Sequence, residues 1–445
     1  MTDVLSSGVD ALTFGEVVDT LLLRTGFNTR MVIAGTTLLG IAAGVVGVFA
    51  MLRKRSLMTD ALSHATLPGI ALAFLFAPVF GLASRSLAVL LVGATVTGVL
   101  GVLSVQVLLR ATRLREDAAI GIVLSVFFGV GVVALSYIQT NAPAGSAGLN
   151  GFIFGQAATM LARDVMLMGI IASVALVASV LLLKEFSLVC FNDSFARVDG
   201  WPVGVIDLAM MAMVVLVTVA GLQAVGLILV VALLIVPPVA ARFWTERLWL
   251  LVVLSGAIGG ASGYAGAVLS ALLPRMPAGA VIVLTAGGAF AMSMLFAPSR
   301  GVVAGAMRRL RLRLRIASDH VLEAAHDAGV DQIERVTMRE LADLHGWSGL
   351  FAWVVRRWLI GAGMARGDAD GIVLRERGRE RGRRVSRNHA LWEQYLISYA
   401  DIAPSHVDWS VDQVEHVLSE DLIRDLEKKL TARGEAFPPR EGVTA

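Results

Sequence analysis

Long stretches without charge are the feature that most limits what this chain can fold into. No Asp, Glu, Lys or Arg occurs from Ala118 to Ala162, and Arg275 is the only such residue between Leu248 and Ser299. A bilayer core about 30 Å thick is crossed by about 20 apolar residues in a helix. Within lipid, only helices and closed barrels satisfy every backbone group, and these stretches lack the alternation of barrel strands. The sequence therefore predicts an all-α polytopic membrane domain.

Eight or nine transmembrane helices are predicted, because the short segment Gly221–Gly226 is either a turn between two spans or a kink within one. Pro237-Pro238 removes two helix N–H donors and is expected to break or end its span, although a plain helix end before Arg242 fits equally well. The apolar stretches lie at about 31–51, 66–84, 86–109, 118–138, 164–183, 204–220, 222–241, 248–273 and 279–298.

Positive charge follows every second predicted span and indicates the orientation in the membrane. Lys and Arg concentrate in the cytoplasmic loops of membrane proteins. The uncharged segment Gln139–Gln156 is then expected outside, and the C-terminus inside. The basic connections are Arg53–Arg55, Arg110–Arg115, Lys184 with Arg197, Arg242 with Arg247, and Arg308–Arg315.

Charge becomes dense after Arg308, which indicates a soluble domain behind the membrane part. The chain as a whole is 56% hydrophobic and 16% charged, so a single soluble fold is excluded. Its one cysteine, Cys190, excludes an intramolecular disulfide and a zinc site of several cysteines. The predicted regions are an N-terminal interfacial segment 1–30 (with an amphipathic helix at 9–25), a transmembrane domain 31–300, a basic linker 301–317, and cytoplasmic regions 318–378 and 379–445.

The first cytoplasmic region has the pattern of a winged helix-turn-helix, in which three short helices precede a two-stranded wing. A small helical bundle would give a similar pattern. The predicted helices are 318–328, 337–344 and 348–362, the extended pair is Met364–Leu374 with a polar turn at 367–371, and helices 379–400 and 408–431 follow.

Asp60 and His64 are four residues apart where the second span begins. On a helix they share one face, a turn apart. A carboxylate with an imidazole suits divalent Mn, Zn or Fe, and an ionisable pair that enters an apolar span is a candidate functional site. The alternative is that Asp60 caps the helix and balances Arg53–Arg55, with His64 at the lipid headgroups.

The residues around this pair resemble the permeases of manganese, zinc and iron ABC importers, those of the ABC-3 type. The resemblance extends over about residues 15–300 and rests on Asp60–Ala65 (Asp-Ala-Leu-Ser-His-Ala), Leu67-Pro68-Gly69, Gly221–Pro238 and Asn192–Gly200. It implies that Asp60 and His64 bind the passing metal ion, with Mn favoured and Zn or Fe possible. It also implies a multi-pass protein of the bacterial cytoplasmic (inner) membrane.

Within the loop Lys184–Val203, the polar core Phe191–Gly200 is predicted to be helical, either as an ordinary connector or as a device that passes motion from an ATPase to the spans. The resemblance implies a coupling helix for an ABC ATPase subunit, with Asp193, Ala196 and Gly200 at the contact. No Gly-rich Lys-Ser/Thr phosphate loop occurs in the sequence, so we expect no nucleotide bound by this chain and ATP hydrolysis by a separate subunit. Further expected partners are a second permease copy or a related permease, an extracytoplasmic metal-binding protein, and membrane lipid.

A second set of possible metal ligands lies near the C-terminus. His389 and Glu393 are four apart, and Asp412, Glu415 and His416 share one face of a predicted helix. Two helices that each offer His with carboxylates commonly form a metal site. A charged, solvated helix face is the alternative.

The C-terminal residues resemble the iron- and manganese-dependent repressors related to the diphtheria toxin repressor. The likeness covers residues 318–431 and rests on Leu374–Gly378, Arg387–Glu393 and Val414–Ser419. It implies a region of metal-binding and dimerisation helices at 379–445. The implied ligands are His389, Asp412, Glu415 and His416, with Glu393 ancillary and Asp319 from the first helix; Leu322 stands where manganese-type members have a carboxylate. An oxygen ligand at Asp412 favours Mn.

DNA binding is a further possibility for this domain. Ser348, Arg356 and Arg357 lie on the predicted recognition helix, and arginines near the wing suit phosphate contacts. A winged-helix fold kept for dimerisation or sensing is the alternative.

Three functions are compatible with the sequence. We expect a metal permease with a fused metal-responsive domain, whereas the alternatives are a membrane-tethered transcription regulator and an ion-coupled secondary transporter. The tethered regulator is not favoured, because a membrane anchor needs neither eight or nine spans nor an intramembrane Asp–His pair. A secondary transporter would want further intramembrane carboxylates, for which Asp207 is the remaining candidate.

Overall fold

The computed structural model describes residues 14–53, 56–81, 87–141, 160–273, 276–328, 335–367, 371–399 and 420–433. The chain divides into two compact units, Met1–Ala304 and Gly305–Ala445. The first is an all-α bundle, and the second is mainly helical with one small sheet. The predicted fold class is confirmed.

Eight helices of the first unit, counted over the described residues, are long and apolar enough to cross a membrane. A short helix, α1 (Phe14–Leu21), precedes them within the predicted interfacial segment. The first four are α2 (Phe27–Leu52), α3 (Ser56–Phe76, extended by a 3-10 turn Ala77–Phe80), α4 (Leu87–Ala111) and α5 (Glu116–Asn141). The others are α6 (Ala162–Leu181), α9 (Val203–Val225), α11 (Leu248–Leu272) and α12 (Ala278–Phe296).

The predicted seventh span is a separate, shorter apolar helix, α10 (Leu227–Arg242). Gly226, with φ +85°, separates it from α9, so Gly221–Gly226 ends in a turn and does not continue as a kinked helix. The expected break at Pro237-Pro238 is wrong, because both prolines lie inside α10 and the helix ends at Arg242. Membrane helices tolerate proline where neighbouring groups satisfy the freed backbone.

Helix α2 lies at the centre of the first unit, where it packs closely against α11. A Cβ placed on Gly40 would lie 2.2 Å from the carbonyl oxygen of Gly259, so the two backbones touch there. One turn further on, the Ser255 hydroxyl donates to the Gly44 carbonyl over 2.6 Å. Small residues that let backbones approach, with hydroxyls that bond across the contact, are the usual means of association between helices in lipid.

Two short helices interrupt the bundle between α6 and α9. They are α7 (Leu183–Phe191) and α8 (Asp193–Val198), and they fall within the loop predicted to couple to an ATPase.

The second unit is built around a three-stranded antiparallel sheet in the order β1-β3-β2. Its hydrophobic core includes Val321, Leu322, Val355, Leu359 and Ile372, which are completely buried. Its elements are α13 (Val302–Ala328), β1 (Arg335–Thr337), α14 (Met338–Leu344), α15 (Gly349–Gly361), β2 (Ala365–Gly367), β3 (Gly371–Leu374), α16 (Glu376–Tyr399) and α17 (Glu420–Arg433).

Two predictions for this region need correction. The segment 301–317, predicted as a linker, is helical from Val302 as part of α13; its Arg, Leu, Met and Ala residues are all strong helix formers. The predicted two-stranded wing has a third strand, β1, which pairs Val336 with Ile372 of β3. The part of the predicted helix 408–431 that precedes Glu420 lies outside the described residues, and α17 begins at Glu420.

Candidate metal sites and coupling segment

Helix α3 places Asp60 and His64 on one face, in its second and third turns. The Nε2 atom of His64 lies 3.6 Å from Oδ1 of Asp60, so the two groups are adjacent without a hydrogen bond between them. Their side chains are 23% and 41% exposed respectively, so a small ion could reach both. A nitrogen and an oxygen at this spacing can contact one divalent ion.

The His64 ring is held from the side by α5. It meets Phe128 edge-to-face with 4.9 Å between ring centroids, and among the described residues its buried Nδ1 has no hydrogen-bond partner. The neighbouring Ser63 hydroxyl is used within the helix, where it donates to the Thr59 carbonyl over 2.9 Å. The His64 imidazole therefore keeps one ring nitrogen, Nδ1, to which no described residue is hydrogen-bonded.

Close helix contacts fix the position of this pair. One turn beyond His64, a Cβ on Gly69 would lie 2.1 Å from the carbonyl oxygen of Gly93 in α4. A Cβ on Gly131 of α5 would lie 3.1 Å from Cδ of Pro68. The glycines permit both contacts and keep α3, α4 and α5 in register around the pair.

The segment predicted to couple to an ATPase contains a short, exposed helix, α8. The Asn192 side chain caps α8 by accepting the Phe195 N–H over 3.0 Å, and Arg197 pairs with Asp193 at 3.2 Å. Ala196 is completely buried, whereas Phe195 and Val198 are 55% and 89% exposed. Gly200, with φ +84°, ends the segment in a turn. Of the three predicted contact residues, Ala196 is thus the inward anchor of α8 and Asp193 faces solvent.

Asp207, the other carboxylate in a predicted span, is paired with an arginine. Its Oδ1 accepts from Nε of Arg53 over 3.0 Å, and the two side chains are 10% and 14% exposed. From the sequence, Arg53 was expected in a cytoplasmic loop. Its partner Asp207 is 154 residues away, so no local pattern indicated that the two would pair.

In the second unit, Asp319 is engaged by Arg381. The guanidinium donates from Nε over 2.7 Å and from Nη2 over 3.2 Å to the two carboxylate oxygens. Such a bidentate pair uses the lone pairs that a metal ion would need, and Asp319 is 3% exposed. The arrangement is that of a structural ion pair between α13 and α16.

The carboxylate that reaches His389 is Glu323, which sequence analysis missed. Its Oε1 lies 3.0 Å from Nδ1 of His389, with side chains 14% and 23% exposed. The resemblance to metal-dependent repressors pointed to the position three residues beyond Asp319, where the fully buried Leu322 stands. The residue four beyond also lies on that helix face, and counting to it would have found Glu323.

The remaining predicted sensor ligands are only partly visible. Glu393 lies half-buried on α16 one turn after His389. Asp412, Glu415 and His416 lie outside the described residues. Within the part of the chain that is described, no group of three or more His, Cys, Asp or Glu could hold a metal ion. The candidates that remain are two pairs of a histidine with a carboxylate, Asp60 with His64 and Glu323 with His389.

The predicted DNA-binding residues lie on α15. Ser348 caps this helix by accepting the Phe351 N–H over 3.3 Å. The Arg357 guanidinium stacks 5.4 Å from the Trp353 ring, and a Cβ on Gly367 of β2 would lie 3.0 Å from Nη2 of Arg356. Arg357 thus contacts α15 itself, and Arg356 lies against β2 of the wing. The exposed surface of α15 carries three large apolar side chains, Leu350, Trp353 and Trp358.

These features define a multi-pass helical membrane protein that carries an Asp–His pair in one span and a winged-helix domain at its C-terminus. The ABC 3 transport family matches residues 27–297, and the chain belongs to this family. The family described as iron dependent repressor, metal binding and dimerisation domain matches residues 375–434. The two resemblances predicted from the sequence are confirmed.

Similar proteins have metal transport in their names. The chain is 44% identical over 300 residues to the manganese transport system membrane protein MntC of Bacillus subtilis, covering 67% of this chain and 68% of that protein. It is 43% identical over 294 residues to the zinc transport system membrane protein TroC of Treponema pallidum, covering 66% and 96%. The solved structure of PsaBC from Streptococcus pneumoniae with a Fab matches with a TM-score of 0.56 and 29% identity, covering 65% of this chain and 98% of that one.

Proposed function

We propose that this chain is the membrane-spanning permease of an ATP-driven importer of a divalent transition metal and that its C-terminal domain responds to the same kind of metal in the cytoplasm. The observation that carries the proposal is the Asp60–His64 pair on one face of α3, 3.6 Å apart and held by α4 and α5, in a chain of the ABC 3 transport family.

The cargo class follows from the donor atoms. One carboxylate and one imidazole select borderline and harder divalent ions such as Mn, Zn and Fe over soft ions. Relatives named for manganese and for zinc transport support the same class, and manganese is the favoured cargo. Two protein ligands leave further coordination positions to water or to a second permease copy, so the ion is held weakly enough to leave again, as transport requires.

Energy for transport comes from a separate ATPase subunit in this proposal. Asp193 and Ala196 belong to the docking helix α8 and Gly200 lies in the turn that follows it. The exposed Phe195 and Val198 of α8 supply an apolar surface for that subunit. An extracytoplasmic capture protein delivers the ion. The basic loops support a cytoplasmic position for α8 and for the C-terminal domain.

A secondary transporter fits the molecule less well. It would need a titrating carboxylate within the spans besides Asp60, and the Asp207 carboxylate is held by the Arg53 guanidinium. A simple tethered regulator would leave the Asp60–His64 pair without a role.

The proposal is tested by ATP-dependent uptake of radioactive Mn, Zn and Fe into vesicles that contain the reconstituted permease, ATPase and capture protein. Asp60→Ala and His64→Ala are expected to abolish uptake while membrane insertion and assembly continue. Asp117→Ala, which removes an acidic residue from the first turn of α5, is the matched control and should transport normally. Normal uptake by either Asp60→Ala or His64→Ala would remove that residue from the pathway.

The cytoplasmic domain is proposed to bind its metal through His389 and Glu323, with Glu393 in an ancillary position and Asp412, Glu415 and His416 completing the site. The donor set of Glu323 and His389 fits Mn or Fe, and a metal bound there would hold α13 and α16 together. Asp319 is assigned a structural role, which departs from the ligand role that the sequence implied.

For this domain we favour a metal-dependent interaction with another protein over sequence-specific DNA binding. Helix α15 exposes large apolar side chains, and its arginines Arg356 and Arg357 lie against β2 and Trp353. Mobility of upstream promoter DNA with the full-length protein in detergent, with and without Mn²⁺, tests this choice. A metal-dependent shift that Arg356→Ala and Arg357→Ala remove would establish the DNA-binding alternative.

A further inference from the structure

Arg53 lies at a junction of three helices at one end of the first unit. It ends α2, and α3 begins three residues later at Ser56. Its guanidinium donates from Nε to Asp207 of α9 and from Nη1 to the Val189 carbonyl of α7, both over 3.0 Å. One planar group therefore ties α7 and α9 to the C-terminal end of α2.

Helix α7 is held firmly on this junction. Phe186, which is 1% exposed, meets Phe49 of α2 edge-to-face with 4.9 Å between ring centroids. The Cys190 sulfur lies 3.9 Å from the Met210 sulfur of α9. Because α7 ends at Phe191 and Asn192 already caps α8, a displacement of α8 must be passed to α7 and to the groups that α7 contacts.

The other side of the junction leads directly to the metal pair. Asp60 is seven residues from Arg53, in the second turn of α3. The guanidinium and the Asp207 carboxylate are both mostly buried, and a buried charge is costly to separate from its partner. The end of α2 at Arg53 is therefore constrained to follow α7 and α9 when these helices move, and α3 begins three residues later.

We propose that Arg53 and Asp207 are positioning residues that transmit the movement of α8 to Asp60 and His64. When the ATPase moves α8, the Val189 carbonyl and the Asp207 carboxylate carry the guanidinium with them and shift the first turns of α3. The metal pair then changes its access without any contact between the pair and the ATPase. The inference rests on the proposed transport function.

The test uses the reconstituted complex and measures Mn²⁺ transported per ATP hydrolysed. Removing Arg53 or Asp207 alone leaves a buried charge, so the informative variant is Arg53→Met/Asp207→Leu, in which apolar side chains of similar length replace both. We expect this variant to fold, to bind the ATPase and to hydrolyse ATP, while Mn²⁺ per ATP falls about 5- to 150-fold, the usual range of a coupling between distant sites.

The matched control is Arg300→Met/Glu246→Leu, which removes an exposed arginine–carboxylate pair between two other segments of the same unit. It should leave Mn²⁺ per ATP unchanged. The inference is overturned if Arg53→Met/Asp207→Leu keeps the wild-type ratio, if uptake and hydrolysis fall in proportion, or if the ATPase no longer binds. Absence of ATP-dependent Mn²⁺ uptake by the wild type would instead overturn the proposed function.

Discussion

Substitution of Glu323 by Gln gives the sharpest test of the cytoplasmic metal site. The change keeps the size of the side chain and removes its charge, and Gln accepts a metal ion far less well than a carboxylate. The Glu323 oxygen lies 3.0 Å from His389 Nδ1, and the two side chains are 14% and 23% exposed. Water therefore screens the interaction between the pair and an ion only in part.

The loss of metal affinity expected for Glu323→Gln can be estimated from other metal sites. Removal of groups that merely orient metal ligands lowers affinity about 10- to 100-fold, so removal of a direct ligand should cost at least about 100-fold, or about 2.7 kcal/mol. Asp319→Asn should change metal affinity by less than about 10-fold, below the range for groups that orient metal ligands, because that carboxylate is already held by Arg381.

Calorimetric titration of the full-length protein with Mn²⁺ measures these values. The Asp60→Ala/His64→Ala background removes the transport pair, so that the remaining heat comes from the cytoplasmic domain. Glu380→Gln, an exposed carboxylate on α16 paired with Arg384 at 3.6 Å, is the control and should bind normally. Unchanged affinity in Glu323→Gln together with a large loss in Asp319→Asn would refute the assignment and restore Asp319 as the ligand.

Two predictions concern stability. Arg381→Ala removes both hydrogen bonds that the guanidinium donates to the buried Asp319 carboxylate. It should destabilise the second unit by about 2–3 kcal/mol, at the low end for a broken buried pair because Arg381 is a third exposed. Hydrogen exchange in the full-length protein measures the loss, and Arg384→Ala at the exposed pair should cost under about 1 kcal/mol. Gly69→Leu forces α3 from α4 and should lower thermal stability by about 1–3 kcal/mol and abolish uptake. Gly129→Leu, where a Cβ meets nothing within 4 Å, should do neither, and equal effects of the two glycine changes would contradict the account of that contact.

The membrane helices were predictable because their signal is local. A run of apolar residues long enough to cross a bilayer must be helical whatever surrounds it, so the spans follow from composition alone. The same reasoning failed at Pro237-Pro238, where the surrounding bundle decides whether a helix tolerates proline. It also failed at 301–317, where the arginines suggested a linker although their helix propensity is high.

The two metal pairs differ in the same way, because one pair lies within a single helix and the other joins two helices. Asp60 and His64 lie in one helix, so their four-residue spacing already placed them together. Glu323 and His389 come from helices 66 residues apart in sequence, counted from their numbers, and depend on how α13 packs against α16. The contact of Arg53 with Asp207 is likewise tertiary, and neither residue type nor spacing indicates it.

The most direct test of the central claim is the electron spin resonance of Mn²⁺ bound to the reconstituted full-length permease in a His389→Ala/His416→Ala background, which removes both imidazoles of the proposed cytoplasmic site. In that background the account predicts magnetic coupling to Mn²⁺ from an imidazole nitrogen of His64 in each permease copy that binds the ion. His64→Ala should abolish this nitrogen signal, and Asp60→Ala should weaken Mn²⁺ binding. A nitrogen signal that persists unchanged in His64→Ala would contradict the claim that α3 carries the metal through the membrane.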